Sequence, residues 1–190
     1  LVVSSSGQPT GQIMWEVWEG IGGTLTTDLT NNAAYPDTPT WAELITSLEA
    51  PINGDPGLGS DFGSRIHGYL YPPADGDYTF WIASDDSSDL WLSTSDNPAD
   101  AVVICGVDGW CDSRQFDGEG GSPGTRQKSA PVTLVGGQKY YISAIYKEGG
   151  GGDNCAVAWQ GGGIAERAVI DGAYLSPAAW AASVLKAKNP

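Results

Sequence analysis

The sequence predicts an all-β protein, specifically an antiparallel β-sandwich. Two observations carry this prediction. Twenty-seven glycines and twelve prolines separate short segments in which apolar residues alternate with polar ones, and long stretches with helical periodicity are almost absent. The chain has 190 residues, which fits one domain that buries roughly two-thirds of its unfolded surface.

Seven segments have the strand pattern: residues 65–71, 76–83, 89–94, 101–105, 130–134, 139–147 and 154–160. In the second of them, Tyr78, Phe80 and Ile82 share one face, because side chains on a strand alternate between its two sides. Trp81 then points the other way, which requires either a covering layer or an exposed aromatic ring. Two packed sheets accommodate both alternatives.

Two short helices are also predicted. The first covers residues 40–48, where Thr40 is a candidate N-cap and Glu43 completes a capping box. The second covers residues 176–187, where a Ser-Pro pair precedes a run of good helix formers.

The domain organisation follows from composition. Residues 1–11 are small, polar and unpatterned, which indicates a linker, residues 12–176 form the domain, and residues 177–190 form a C-terminal extension. We expect a module of a larger, multidomain protein that is monomeric when isolated. No apolar run approaches the roughly 20 residues that span a bilayer, so membrane insertion is not expected.

The charge balance excludes several partner classes. The chain has 23 acidic and 9 basic residues, a formal net charge of −14 and an isoelectric point near 4.1. Such a field repels phosphate backbones and anionic lipids, which argues against nucleic-acid and membrane-surface partners, and it attracts divalent cations.

An acidic cluster interrupts two apolar runs in the stretch IASDDSSDLWL, which contains Asp85, Asp86 and Asp89. Neighbouring side chains on an extended strand point to opposite faces, so Asp85 and Asp86 converge on one ion only if the backbone between them is unusual. The alternative is a polar β-turn in which Asp and Ser side chains bond their own backbone.

A second loop has the sequence EGGGGDN, from Glu148 to Asn154. Glycines free the backbone to turn its carbonyls inward, and carbonyl and carboxylate oxygens are the ligands that calcium prefers. A flexible hairpin loop is the alternative. Together the two acidic loops favour calcium over zinc, because neither loop supplies His or Cys.

A third loop, GVDGWCDSRQFD, places Trp110 among glycines. The ring is either a platform for a sugar or part of the loop's own packing. Cys105 and Cys111 bracket this loop and could form a small disulfide, with Cys155 as the third cysteine.

Catalysis receives little support from the sequence. The single histidine, His67, lies in an alternating strand, where a local structural partner is the expected role. Adjacent aspartates such as Asp85 and Asp86 rarely flank a glycosidic bond from opposite sides, so we expect no enzyme activity.

These motifs resemble the PA14 (PA-fourteen) domain, first described in anthrax protective antigen and also present in yeast flocculins and in bacterial glycosidases and adhesins. The resemblance rests on DGDYTFWIASDDSSDLW at residues 75–91 and GQKYYISAIYKEGGGGDNCAVAW at residues 137–159. It covers roughly residues 12–175. The resemblance implies a β-sandwich with calcium held between two loops at its tip, and sugar hydroxyls that complete the coordination.

The resemblance also implies roles for individual residues. Asp85 and Asp86 would be joined by a cis peptide and bind calcium. Glu148, the carbonyls near Gly150 and Gly152, and alternatively Asp153 would complete the metal site. Beyond the resemblance, we expect the glycan to contact Asp85, Asp86, Trp110, Arg114, Gln115 and Gly151.

The predicted function is a calcium-dependent carbohydrate-binding module, extracellular or at the cell surface, that serves adhesion or substrate targeting. Its partner would be a glycan or polysaccharide. The alternatives are a structural or protein-interaction module with a purely structural calcium ion, and a glycoside hydrolase.

Overall fold

The computed structural model describes residues 7–51, 57–118 and 121–178. Its eleven strands are β1 (Ile13–Glu19), β2 (Trp41–Ile45), β3 (Phe62–Leu70), β4 (Gly76–Asp85), β5 (Ser88–Leu92), β6 (Val102–Val107), β7 (Val132–Leu134), β8 (Tyr140–Glu148), β9 (Asn154–Gly161), β10 (Ile164–Val169) and β11 (Leu175–Pro177). The helix α1 covers Thr26–Thr30, and 3-10 turns cover Pro98–Asp100 and Gly172–Tyr174.

The strands form two antiparallel sheets. The larger has the order β2-β1-β3-β8-β5-β6, with β11 also paired to β3, and the smaller has the order β10-β9-β4-β7. The predicted antiparallel β-sandwich is therefore confirmed.

The core lies between the two sheets. Tyr78, Phe80 and Ile82 are all fully buried, as their shared face predicts. Tyr78 stacks on Trp159 with ring centroids 5.1 Å apart. Burial of each such side chain contributes about 1.5–3 kcal/mol to folding, so this cluster is a main source of stability.

Trp81, on the opposite face of β4, is covered rather than free. It forms a β-bridge with Lys128, and the Lys128 ammonium lies 5.3 Å from its ring centroid. The Arg167 guanidinium lies 5.4 Å from the same ring. The covering layer, and not an exposed ring, is thus the alternative that the protein uses.

All seven predicted strands are present, with ends that differ by only a few residues. The other four strands, β1, β2, β10 and β11, were not predicted as strands. The sequence pattern is weak in β1, because this strand is buried along nearly its whole length and does not alternate between buried and exposed residues.

The helix predicted over residues 40–48 is wrong. This segment contains β2, which pairs with β1 so that Trp41 lies opposite Val17. The Trp41 ring packs edge-on against Trp15, with centroids 5.0 Å apart. Thr40 accepts a hydrogen bond from the N–H of Glu19, so it joins strand ends instead of capping a helix. Pairing with a buried neighbour outweighs local helix propensity here.

The predicted C-terminal helix is only partly within the described residues. Ser176 and Pro177 belong to β11 and not to a helix, and the prediction for residues 179–187 lies outside the described residues. The helix α1 was not predicted, and it buries Leu29.

The three cysteines are buried free thiols, so the disulfide considered for Cys105 and Cys111 is not formed. Burial raises the pKa of the Cys105 thiol to about 12. Among the described residues, no helix combines the length and the hydropathy needed to cross a membrane.

Candidate functional site

The candidate site lies at one end of the sandwich, where strands from both sheets stop. β4 of the smaller sheet ends at Asp85, and β8 of the larger sheet ends at Glu148. Asp85 lies opposite Asn154, the first residue of β9. The peptide bond between Asp85 and Asp86 is cis, as the family resemblance implies.

Three carboxylates meet at this end. One oxygen from each of Asp85, Asp86 and Glu148 lies within 4.8 Å of the other two. Glu148 is fully buried, and neither of its carboxylate oxygens has a hydrogen-bond partner among the described residues. A buried carboxylate without a partner is costly, so this geometry indicates that a cation belongs among the three groups.

The electrostatics agree with this geometry. Burial, followed by repulsion from Asp86 and then Asp112, raises the pKa of Asp85 to about 6. Burial, followed by repulsion from Asp86 and Asp85, raises the pKa of Glu148 to about 8, although the N–H of Gly150 acts in the opposite direction. Without a cation, the cluster resists full ionisation.

Backbone contacts hold Asp86 in place. Its carboxylate accepts a hydrogen bond from the N–H of Gly149 at 2.9 Å, and its own N–H donates to the carbonyl of Lys147 at 2.8 Å. The hydroxyl of Ser84 donates to the Asp86 carbonyl at 2.6 Å. A Cβ at Gly149 would lie 2.9 Å from Thr24 and 3.3 Å from the Asp86 carboxylate, so this position needs glycine for close approach.

A buried lysine makes hydrogen bonds to the backbone next to the site. The ammonium of Lys147 donates to the carbonyls of Gly23 and Glu148, at 2.7 Å each. Burial lowers the pKa of Lys147, and the neighbouring carboxylates, Asp28 foremost, oppose that shift. Lys147 thereby ties the segment before α1 to the second acidic loop.

The residues of the glycine loop that were predicted as ligands have different surroundings from one another. Gly152 lies beside Asp85, whose Oδ2 is 3.6 Å from where a Gly152 Cβ would be, whereas Gly150 lies beside Ser60. Gly151 has φ of +121°, a conformation that favours glycine, and nothing packs against it. Asp153 is outside the three-carboxylate group and accepts a hydrogen bond from the N–H of Leu58 at 2.6 Å.

The Trp110 loop reaches the same end of the molecule. The N–H of Cys111 donates to the Ser84 carbonyl at 2.8 Å, which places Trp110 next to the strand that leads into Asp85. Trp110 is 43% exposed, one of the largest apolar side chains left open to solvent. Trp110 is therefore a partly exposed aromatic ring on a loop that is anchored beside Ser84.

Arg114 and Gln115 are engaged in structural contacts. Arg114 forms a two-point ion pair with the buried Glu49, at 2.7 and 2.6 Å. The Gln115 carbonyl accepts from the side chain of Gln127 at 2.7 Å. The Arg114 guanidinium is thus already committed to a carboxylate within the protein.

Sequence reasoning missed two residues of the site. Asp112 is an exposed acid whose charge raises the pKa of Asp85. Asn154 donates to the Cys111 carbonyl at 3.1 Å, while its buried Oδ1 has no hydrogen-bond partner in the described part of the chain. Both lie inside stretches that the sequence singles out, but spacing alone does not show that they face Asp85.

Asp89 has partners of its own. It accepts from the hydroxyl of Thr26 at 2.7 Å and pairs with Arg126 at 3.2 Å, so it is part of the supporting scaffold and not of the carboxylate group. The predicted partner of His67 is also confirmed, because Nε2 lies 3.2 Å from the carboxylate of Glu16.

Chemically, the site offers a set of hard oxygen ligands. The group contains neither His nor Cys, which matches calcium or another hard cation better than zinc. Asp85 and Asp86 are half-buried, so a cation held here keeps coordination positions for water or ligand oxygens.

Comparisons with known proteins agree with this fold. The family model of the PA14 domain matches residues 47–173. The chain is 30% identical over 160 residues to mouse N-acetyl-beta-glucosaminyl-glycoprotein 4-beta-N-acetylgalactosaminyltransferase 1, which covers 79% of this chain and 14% of that protein. It is 31% identical over 106 residues to mouse fibrocystin, which covers 54% of this chain and 3% of that protein. The chain thus spans a small fraction of each of these relatives.

Solved structures with the same fold include a PA14 sugar-binding domain from an RTX adhesin. It has a TM-score of 0.62 and 14% identity, over 88% of this chain and 99% of that one. The epithelial adhesin 6 A domain from Candida glabrata, solved in complex with Galb1-3GlcNAc, has a TM-score of 0.57 and 15% identity, over 89% and 88% of the two chains. The matched family model, the two-sheet sandwich and these structural relatives together show that the chain belongs to the PA14 domain family.

Proposed function

We propose that the chain is a calcium-dependent carbohydrate-binding module of a larger exported protein, without catalytic activity. The observation that carries the proposal is the convergence of Asp85, Asp86 and Glu148 within 4.8 Å around a buried, unpartnered Glu148 carboxylate. Three negative charges at such distances need a divalent cation to be ionised together at neutral pH.

In this proposal Asp85, Asp86 and Glu148 bind calcium through their carboxylates. Carbonyls of the Gly150–Gly152 segment add backbone oxygens, and Asp153 is a further oxygen donor close by. Calcium takes six to eight oxygen ligands, so sugar hydroxyls can replace the remaining waters. The exposed Trp110 would supply the apolar contact for the sugar ring.

The relatives support the sugar as ligand and the larger parent protein. Two structural relatives are, by their own descriptions, a sugar-binding domain and an adhesin domain bound to Galb1-3GlcNAc. The chain matches 14% and 3% of the mouse relatives, as expected for one module among others. In this proposal the module is secreted or lies at the cell surface, and the resemblance to adhesin domains supports that location.

Calcium titration calorimetry of the intact chain, followed by a glycan array with calcium and with chelator, tests the proposal. We expect one calcium ion to bind, and glycan retention only in its presence. Glu148→Gln and Asp86→Ala should abolish both. Glu166→Gln makes the same chemical change as Glu148→Gln on the exposed strand β10, and should leave both unchanged.

Other outcomes separate the alternatives. Calcium binding without retention of any glycan would indicate a structural ion in an interaction module. Release of free sugar from retained glycans would indicate a glycoside hydrolase. Glycan retention that survives chelator and Asp86→Ala would contradict the role of calcium.

A further inference from the structure

A second binding feature lies away from the acidic end, on the outer face of the larger sheet. A groove of about 520 Å³ opens there. Its floor is formed by Trp91 of β5 and by Tyr141, Ser143 and Ile145 of β8, and Tyr35 and Ala99 line it from outside the sheet. Ser143 precedes Glu148 by five residues on β8, so the groove centre is about 16 Å from the carboxylate group.

The groove floor contains polar atoms that the protein leaves without partners. Ser143 lies opposite His67 on one neighbouring strand and opposite Trp91 on the other. Ser143 is only 4% exposed, and neither its hydroxyl nor the indole N–H of Trp91 has a hydrogen-bond partner among the described residues. Buried donors without partners are rare, and two in one row indicate that a ligand or water belongs there.

A third polar group is held in position. The hydroxyl of Tyr141 lies 3.3 Å from Nδ1 of His67, whose Nε2 lies beside Glu16. The groove is therefore lined by the rings of Tyr35, Trp91 and Tyr141, and the indole N–H of Trp91 and the hydroxyl of Ser143 lie enclosed among these lining residues.

The chemistry of the lining selects one kind of occupant. The described residues that line the groove include no charged side chain, although the protein as a whole carries a net charge of −14. Neutral, aromatic and hydroxyl-bearing walls suit a ring with apolar faces and a polar rim, which describes a neutral sugar. A peptide cannot bind by strand addition, because β5 and β8 are each paired on both sides.

We propose that this groove is a second carbohydrate site, which binds a neutral sugar ring by stacking and hydrogen bonds and needs no calcium. The proposal goes beyond the calcium site, because the two sites share no residue and are separated along β8. A module with both sites would hold a branched or polymeric glycan at two points.

The test follows the indole N–H signals of the eight tryptophans by NMR, in chelator, with the intact ¹⁵N-labelled chain. The probes are the methyl glycosides of glucose, galactose, mannose and N-acetylglucosamine, added separately to millimolar concentrations. Trp91→Phe assigns the Trp91 signal. We expect at least one glycoside to shift that signal and the amides of Ser143 and Ile145, in the chain and equally in Asp86→Ala.

Two variants check the location. Ser143→Ala removes one hydroxyl without a cavity and should weaken binding about fivefold. Ala99→Trp fills the groove from its exposed rim and should abolish the shifts, whereas Ala165→Trp, at an exposed alanine of the other sheet, should not.

Four outcomes would overturn the proposal. They are no shift with any of the four glycosides, shifts confined to residues near Asp85, shifts unchanged in Ala99→Trp, and equal shifts with cyclohexanol, which would mean a merely apolar groove. Each leaves the calcium experiment unaffected, since that experiment depends on Asp86 and Glu148.

Discussion

Two buried glutamates, Glu16 and Glu148, show what separates a structural charge from a candidate ligand. Glu16 is 2% exposed, accepts from Arg65 at 2.7 Å and lies 3.2 Å from His67. Burial alone would raise its pKa, but His67 and Arg65 outweigh that effect and the pKa is lowered. Glu148 is as deeply buried, but among the described residues no cationic side chain pairs with its carboxylate oxygens, and its pKa is raised to about 8.

The difference teaches that burial by itself does not identify a site. A carboxylate that the protein neutralises with its own cations is part of the scaffold, as Glu16 is and as Glu49 is with Arg114. A carboxylate that the protein buries and leaves unneutralised requires a charge from outside. Four experiments sharpen or break this comparison.

The largest expected effect is on the paired glutamate. Glu16→Ala leaves the guanidinium of Arg65 without its carboxylate, and should lower the free energy of unfolding by about 3–5 kcal/mol. Urea denaturation with and without calcium measures it. The loss should be the same in both conditions, and a loss that calcium repairs would contradict the assignment of Glu16 to the scaffold.

The next effect is on the unpaired glutamate. Calcium at one hundred times its Kd should raise the free energy of unfolding by about 2.7 kcal/mol, because only the folded chain assembles the three carboxylates. The same denaturation in Glu148→Gln should show no response to calcium. A full response in this variant would mean that the ion binds elsewhere.

The stability of the protein should depend on pH with opposite signs for the acidic cluster of Asp85 and Glu148 and for Glu16. The pKa is raised from 3.8 to about 6 for Asp85 and from 4.5 to about 8 for Glu148, so between pH 4 and 8 the folded chain holds protons that the unfolded chain releases. Stability without calcium should therefore fall as the pH rises through this window.

Saturating calcium should remove this slope, because the bound ion lowers both carboxyl pKa values. Glu16 contributes the reverse dependence, since its lowered pKa gives stability above pH 4.5 that is lost as the pH falls further. Denaturation curves across the pH range, in chelator and in calcium, measure both trends. If the free energy of unfolding of Glu148→Gln in chelator falls with pH as much as that of the unchanged chain, the carboxylate cluster is not the origin of the fall.

The smallest effect concerns a pair on the surface. Asp117 forms a two-point contact with Arg167 at 2.5 and 2.7 Å, comparable to that of Glu16, but its side chain is 61% exposed. Asp117→Asn should therefore change the free energy of unfolding by less than about 1 kcal/mol. Thermal denaturation measures the change, and a loss as large as that of Glu16→Ala would mean that burial is not what makes a pair matter.

Much of the fold could be predicted from sequence, because alternation identifies strands that have one buried face. Residues 78–82 are the clear case, where Tyr78, Phe80 and Ile82 are buried as predicted. The strands β1 and β2 could not be predicted in this way. β1 is buried on both faces, and residues 40–48 carry a helix-like capping pattern that only the pairing with β1 overrides.

The candidate site could be predicted in part. The acidic loops, the absence of His and Cys and the family resemblance name Asp85, Asp86 and Glu148, which the fold brings together. The commitment of Arg114 to Glu49 could not be predicted, because those residues are 65 positions apart. The proximity of Asp112 and Asn154 to Asp85 could not be predicted either. It depends on how two loops that are distant in sequence meet in the fold, and the spacing of residues along the chain carries no information about that.

Lys147 joins parts of the chain that are 124 positions apart, since its ammonium bonds the Gly23 carbonyl while its own carbonyl accepts from Asp86. Local opening of the acidic end therefore has to break contacts of the segment before α1 as well. Hydrogen exchange should report this as one cooperative unit, in which calcium slows the exchange of Thr26 and Asp86 amides together although Thr26 touches no ion.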